Sequence, residues 1–136
     1  VVWETMGLPL GLSMNANTGE ISGTPTVAGT FNITITVKSG SCSTIKNYTL
    51  VINCPTITFN NAIANNATVG TLYNLDASVN IIGNSNPVTY SVIPSLPSGL
   101  ILNPSTGQIS GIPTKPIPAN IYTVRASQNS GCFRIQ

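Results

Sequence analysis

Residues 8–26 read LPLGLSMNANTGEISGTPT, and residues 96–114 read LPSGLILNPSTGQISGIPT. The two stretches lie 88 residues apart and agree at 12 of 19 positions. Each reads as a β-hairpin. Gly11-Leu12-Ser13-Met14 and Gly99-Leu100-Ile101-Leu102 begin a short strand, and Asn15 to Gly19 and Asn103 to Gly107 make a tight turn. Gly19 and Gly107 are the structural turn residues, expected at φ > 0, where a Cβ would be strained. Glu20 to Gly23 and Gln108 to Gly111 return. Pro25 and Pro113 have no N–H to donate and stop the ladder. The hairpins bury Leu12, Met14 and Ile21, and Leu100, Leu102 and Ile109.

The next segment carries the clearest strand signal. Phe31-Asn32-Ile33-Thr34-Ile35-Thr36-Val37 alternates apolar and polar with period two, the pattern of a strand with one buried and one wet face. Lys38 to Ser41 turn the chain, and Lys46 to Ile52 return with Tyr48, Leu50 and Ile52 inward. The repeat continues at lower stringency. Phe31, Ile33 and Ile35 correspond to Tyr122, Val124 and Ala126 after a three-residue insertion around Pro116-Ile117-Pro118. SGSC (39–42) then corresponds to NSGC (129–132). In the second copy, strands are expected at Thr56–Phe59, Leu72–Val79 (Leu75, Ala77 and Val79 on one face), Pro87–Ile93, Ile121–Ser127 and from Phe133. The chain is thus all-β, with one repeat over 1–53 that is truncated at its N-terminus and a nearly complete one over 54–136.

Composition narrows the chemistry. Of 136 residues only 6% are charged, against roughly 25% in an average soluble domain, whereas Ser, Thr and Asn number 47. There is no histidine, which removes Ser-His-Asp and Cys-His catalysis and His-ligated zinc. The acids Glu4, Glu20 and Asp76 are too few and scattered for paired-carboxylate chemistry, and Lys38, Lys46 and Lys115 match no Ser-Lys motif. The chain reads as no enzyme, with no catalytic residue, metal ligand or cofactor. A net charge of +2 spread over five separated bases is no nucleic-acid footprint, and no apolar run approaches the length of a membrane-spanning helix. Thr suits the pleat and Asn the turns, so the uncharged polar surface fits a β protein.

The string LPxGLxxNxxTGxISGxPT, followed by an alternating Phe or Tyr strand, resembles the immunoglobulin-like repeats of large bacterial cell-surface proteins, related to dystroglycan-type cadherin-like domains. Thr68-Val69-Gly70-Thr71-Leu72-Tyr73 is similar to that family's lead into its second strand. The resemblance covers all of 3–53 and most of 55–136. It implies tandem immunoglobulin/cadherin-like β-sandwiches, a fold of about this repeat length. It further implies an extracellular or cell-surface stalk, spacer or adhesive module. Its partners would be neighbouring repeats of the same chain and, at its surface, a glycan or protein ligand. Cadherin-type repeats hold calcium through acidic clusters, and hard cations need six to eight oxygens. Here Asp76 stands alone, and the junction Val51 to Thr56 has no acid. The linker Asn53-Cys54-Pro55 has no glycine, and Pro55 restricts itself and Cys54, so limited bending is expected.

Three cysteines remain: Cys42, Cys54 and Cys132. Cys42 and Cys54 bracket one strand and, if extended, lie roughly 40 Å apart, too far for a disulfide. In the resembled fold the hairpin between the last two strands lies at the same end as the domain's N-terminus. A Cys54–Cys132 disulfide is therefore implied. Cys42, the repeat-equivalent of Cys132, would pair with a cysteine opening the first repeat. Three unpaired thiols are the competing reading. A disulfide would place the protein outside the cytosol.

Other candidates are weaker. Asn32-Ile33-Thr34, Asn47-Tyr48-Thr49 and Asn66-Ala67-Thr68 match the N-glycosylation pattern, but chance matches are expected in so Asn- and Thr-rich a chain. Trp3, the one tryptophan, could stack on a sugar, against the plainer reading of a strand or core side chain. Tyr48, Tyr90 and Tyr122 occupy inward strand positions. The Asn- and Ser-rich stretch from Asn80 to Pro87 is the loop a carbohydrate-binding accessory module would present. Calcium-dependent adhesion is the third alternative.

Overall fold

The computed structural model describes residues 1–60 and 66–136. These residues form thirteen strands and no helix. They divide into unit 1, Val1–Cys54, and unit 2, Pro55–Gln136.

Unit 1 holds β1 (Val2–Met6), β2 (Leu12–Met14), β3 (Ile21–Gly23), β4 (Gly29–Ser39) and β5 (Cys42–Ile52). β1, β4 and β5 form one antiparallel sheet in that order, and β2 and β3 form a hairpin. The alternation along β4 works as period two requires: Asn32 is exposed and Ile33 is 4% exposed. Ile33 and Pro9 are the buried apolar side chains of this unit.

Unit 2 holds β6 (Thr56–Phe59), β7 (Tyr73–Asp76), β8 (Val79–Ile82), β9 (Val88–Ile93), β10 (Leu100–Leu102), β11 (Gln108–Gly111), β12 (Thr123–Gln128) and β13 (Phe133–Ile135). One sheet runs β10-β11-β7, another β13-β12-β9, and β6 pairs with β8. Ala77, Tyr90, Ile109, Val124 and Ala126 are buried together. Phe59, Tyr73, Leu75 and Val79 pack on them from the first three strands. The buried Tyr90 ring keeps its hydroxyl satisfied: Val79 N–H donates to Tyr90 Oη at 3.1 Å.

The repeat maps β1–β5 of unit 1 onto β9–β13 of unit 2. β6, β7 and β8 have no counterpart in unit 1. Strand register corrects the sequence alignment beyond the hairpin. Trp3 pairs with Val37, and Tyr90 pairs with Ala126. Trp3 N–H donates to Ala16 O and Tyr90 N–H to Pro104 O, both at 2.8 Å, so Trp3 and Tyr90 are equivalent. β4 and β12 are therefore offset by 89, from Val37 to Ala126, not by 91. Ile33 corresponds to Tyr122 and Ile35 to Val124. The intervening connection is longer by about one residue, not three.

Other expectations change too. Leu72 to Val79 is not one strand. The ladder breaks at Ala77-Ser78, where Ser78 N–H donates to the Asp76 carboxylate at 2.8 Å, and the chain passes from the partner of β11 to the partner of β6. Alternation continues through that turn, which hides it from a periodicity reading. Asn80 to Ile82 belongs to β8, so the loop shortens to Gly83–Pro87. Tyr122 precedes β12 and is half-buried. Tyr48 sits on the inward side, opposite Ile33, yet is 47% exposed. β5 is an edge strand, and no further layer of unit 1 covers that side chain.

Candidate functional site

The twice-occurring motif is the natural candidate for a site, and its side chains can be followed one by one. Asn15 Oδ1 accepts from Asn17 N–H at 2.9 Å and Thr18 N–H at 3.3 Å. Asn103 Oδ1 accepts from Ser105 N–H at 2.9 Å and Thr106 N–H at 3.1 Å. Thr18 Oγ1 accepts from Glu20 N–H, and Thr106 Oγ1 from Gln108 N–H, each at 3.3 Å. Both turns are thus capped by their own Asn and Thr, the local bonding these residues favour. Gly19 and Gly107 both have φ +76°. A Cβ there would lie 2.5 Å from the Trp3 ring or 2.7 Å from the Tyr90 ring. The glycine is needed twice over, for its backbone conformation and for the aromatic ring lying on it. At the far end, Thr26 N–H and Thr114 N–H each donate at 3.0 Å, to Leu10 O and Ser98 O. The Asn, Thr and Gly positions shared by the two repeats therefore serve to build the hairpin. The roles of Asn15 and Asn103 were missed in the sequence, although an Asn two and three residues before the N–H groups it accepts is an Asx-turn signature.

The charged residues form no reactive group. Glu4 pairs with Lys38 at 2.7 Å on an exposed sheet face. Lys46 lies over the Tyr48 ring at 5.3 Å and Arg125 over the Phe133 ring at 4.1 Å. The Ser78 hydroxyl and then its backbone N–H hold the exposed Asp76 carboxyl below its ordinary range. Among the described residues, no three of His, Cys, Asp and Glu come together as a metal would need.

The sugar-binding candidates are in part engaged by the fold. Gln128, only 5% exposed, donates through Nε2 to Asn84 Oδ1 and to Asn86 O, both at 2.9 Å. The Asn84 side-chain amide and the Asn86 backbone carbonyl are thus partners of a buried side chain. Trp3 is half-buried against Gly19. Two of the N-x-T triplets face each other across β4 and β5. Thr34 Oγ1 donates to Asn47 Oδ1 at 2.9 Å, and Thr49 Oγ1 to Asn32 Oδ1 at 3.3 Å, so each Asn is engaged by the other triplet's Thr. Asn66 precedes β7 and is exposed.

Unit 2 contains a cleft of about 710 Å³, lined by Phe59, Tyr73, Leu75, Leu96, Tyr122 and Gln136 among others, with no charged side chain. Ala77, Ile109 and Val124 line it as well as forming the core, so the cleft is an unfilled part of the space between the sheets.

Cys54 and Cys132 are disulfide-bonded, and Cys42 is an exposed free thiol. Cys132 is 1% exposed. The bond ties the residue before β6 to the turn before β13.

A family described as "Putative Ig domain" matches residues 3–53 and again residues 55–134. No curated protein matches the chain. Two crystal structures of human protocadherin-24 EC1-2 are similar, at 19% identity and TM-score 0.36, and, in Form II, at 18% and 0.34. Each match covers 99% of this chain and 75% of that chain. At TM-scores this low the likeness carries nothing about partners or metals.

Proposed function

Because the chain belongs to the "Putative Ig domain" family over both of its repeats, we propose that it is a non-catalytic structural or adhesive module. It serves as a spacer in an extracellular or cell-surface protein of the bacterial kind its motif resembles, with neighbouring repeats of the same chain as its first partners. Fold alone does not give function, so the reading rests on the site. One observation carries it: the Asn, Thr and Gly residues that the motif repeats are used by its own turn hydrogen bonds and ring contacts. The disulfide between exposed Cys54 and buried Cys132 supports an oxidising setting. The sparse charge supports a surface built for inertness, with Glu4 and Lys38 paired and Lys46 and Arg125 set over aromatic rings.

A glycan array and a calcium titration on the intact chain test this reading. The spacer predicts no saturable glycan binding and a melting temperature unchanged by calcium. Saturable sugar binding lost in Asn84→Ala would replace it with the carbohydrate-binding reading. A melt raised by calcium would replace it with calcium-dependent adhesion.

A further inference from the structure

The disulfide of unit 2 is placed where the backbone enters the unit. Cys54 is the residue before Pro55, with which unit 2 opens, and Cys132 stands directly before β13. The 77 residues from Pro55 to Gly131 therefore hang from the bond as a closed loop. The whole core cluster sits inside that loop. Ala77, Tyr90, Ile109, Val124 and Ala126 belong to it, and so do Phe59, Tyr73 and Leu75, which pack on them. β13 lies outside the loop and lends no side chain to the cluster.

A backbone pulled from both sides carries tension along its shortest covalent path. In unit 2 that path runs from Cys54 across two sulfurs to Cys132 and out along β13. It misses β6 to β12. Without the bond, the pull would enter at β6, which has only four residues and pairs with β8 alone. Ile57, 7% exposed, and Phe59, packed on the core, would be the first side chains drawn out. The bond thus spares the strand whose removal opens the core. The tension passes instead to β13, held to β12 by the ladder from Ser127–Phe133 to Arg125–Ile135. Gln128 N–H to Cys132 O, at 2.8 Å, and Gln136 N–H to Val124 O, at 3.0 Å, extend that ladder at both ends.

We propose that unit 2 is a load-bearing link, in which the Cys54–Cys132 disulfide carries tension around the core, so that pull neither lengthens the loop nor passes through it. This rests on the spacer reading, which supplies the load: neighbouring repeats of one chain pulling on each other. The length withheld is about 260 Å, from 77 residues at about 3.4 Å each.

Stretching single molecules of residues 1–136 tests this, with handles joined to Val1 and Gln136 by peptide tags and not through Cys42. In the oxidised chain only residues 1–54 and 132–136 can extend, to about 200 Å. With a phosphine reductant present, or in Cys54→Ala/Cys132→Ala, the stretched length should rise more than twofold, to about 460 Å. Fully stretched length does not depend on whether the reduced or substituted unit still folds. Equal lengths in the oxidised and reduced chains overturn the proposal. So does an oxidised chain that releases the additional 260 Å or so in a step of its own. Saturable binding in the glycan array would overturn the spacer reading, and with it the load, while leaving both lengths as stated, so the two failures are told apart.

Discussion

Ile21 and Ile109 hold the same place in the same nineteen-residue motif, yet only Ile109 is buried, at 5% exposure. The hairpins around them are alike to the level of individual hydrogen bonds, from the Asn cap to the Thr at the far end. What differs is cover. Phe59, Tyr73, Leu75, Ala77 and Val79 come from β6–β8 and the turn after β7, and unit 1 has no such strands. The hairpin's shape is thus a local property of its sequence, whereas its burial depends on residues far away in the chain. Residues 1–136 thus hold the same motif once with the strands that precede it in its repeat and once without them.

The largest expected effect separates the units by their cysteines. Cys54→Ala/Cys132→Ala opens a long loop and should lower the stability of unit 2 by about 4 kcal/mol in the chain-entropy account. Urea denaturation followed by Trp3 fluorescence should leave the unit 1 transition in place, since Cys54 is the last residue of that unit and lies outside its strands. A Trp3 transition that moves equally would break the comparison.

Next comes the matched isoleucine pair. Ile109→Ala should cost about 3 kcal/mol and Ile21→Ala about 1 kcal/mol, because a half-exposed side chain has less burial to lose. Equal losses in denaturant titrations would mean that Ile21 is covered after all. The matched glycines should behave in the opposite way. Gly19→Ala and Gly107→Ala both place a Cβ at φ +76° and against an aromatic ring, so both should cost about 2 kcal/mol. A large effect at Gly107 with none at Gly19 would show that the turn depends on β7, not on its own residues.

Two smaller effects sharpen unit 2. Ser130 is 7% exposed, and its hydroxyl finds no partner among the described residues. Ser130→Ala should therefore stabilise by up to about 1 kcal/mol, read as a raised melting temperature. Asp76 has a folded-state carboxyl pKa lowered by Ser78. Its contribution is present above the unfolded carboxylate value of about 4 and is lost as pH falls through the depressed folded value. Asp76→Asn should accordingly flatten the acid limb of the melting curve slightly, the group being exposed. A steepened limb would reverse the assignment.

The same contrast explains what could be read from sequence. The motif, its two glycines and the alternating strand were legible because they rest on contacts within a few residues. The pairing of Cys54 with Cys132 followed from where the repeat puts them in the resembled fold. The break at Ala77-Ser78 was hidden because Leu75, Ala77 and Val79 keep their period of two while changing sheet. Tyr48 has an inward position by parity, but exposure is decided by whether another layer exists above it. The engagement of Asn84 by Gln128 joins residues 44 apart and leaves no local trace. Even the repeat alignment needed the strand register, since two offsets of equal parity bury the same face.

Residue-resolved amide hydrogen exchange on residues 1–136 tests the central claim most directly. Gly107 O accepts from Ala77, so alternation turns the Ile109 and Gly111 amides toward β7 and the equivalent Ile21 and Gly23 amides toward an open edge. The account predicts strong protection at Ile109 and Gly111 and near-solvent exchange at Ile21 and Gly23. Comparable protection at the two pairs would contradict it.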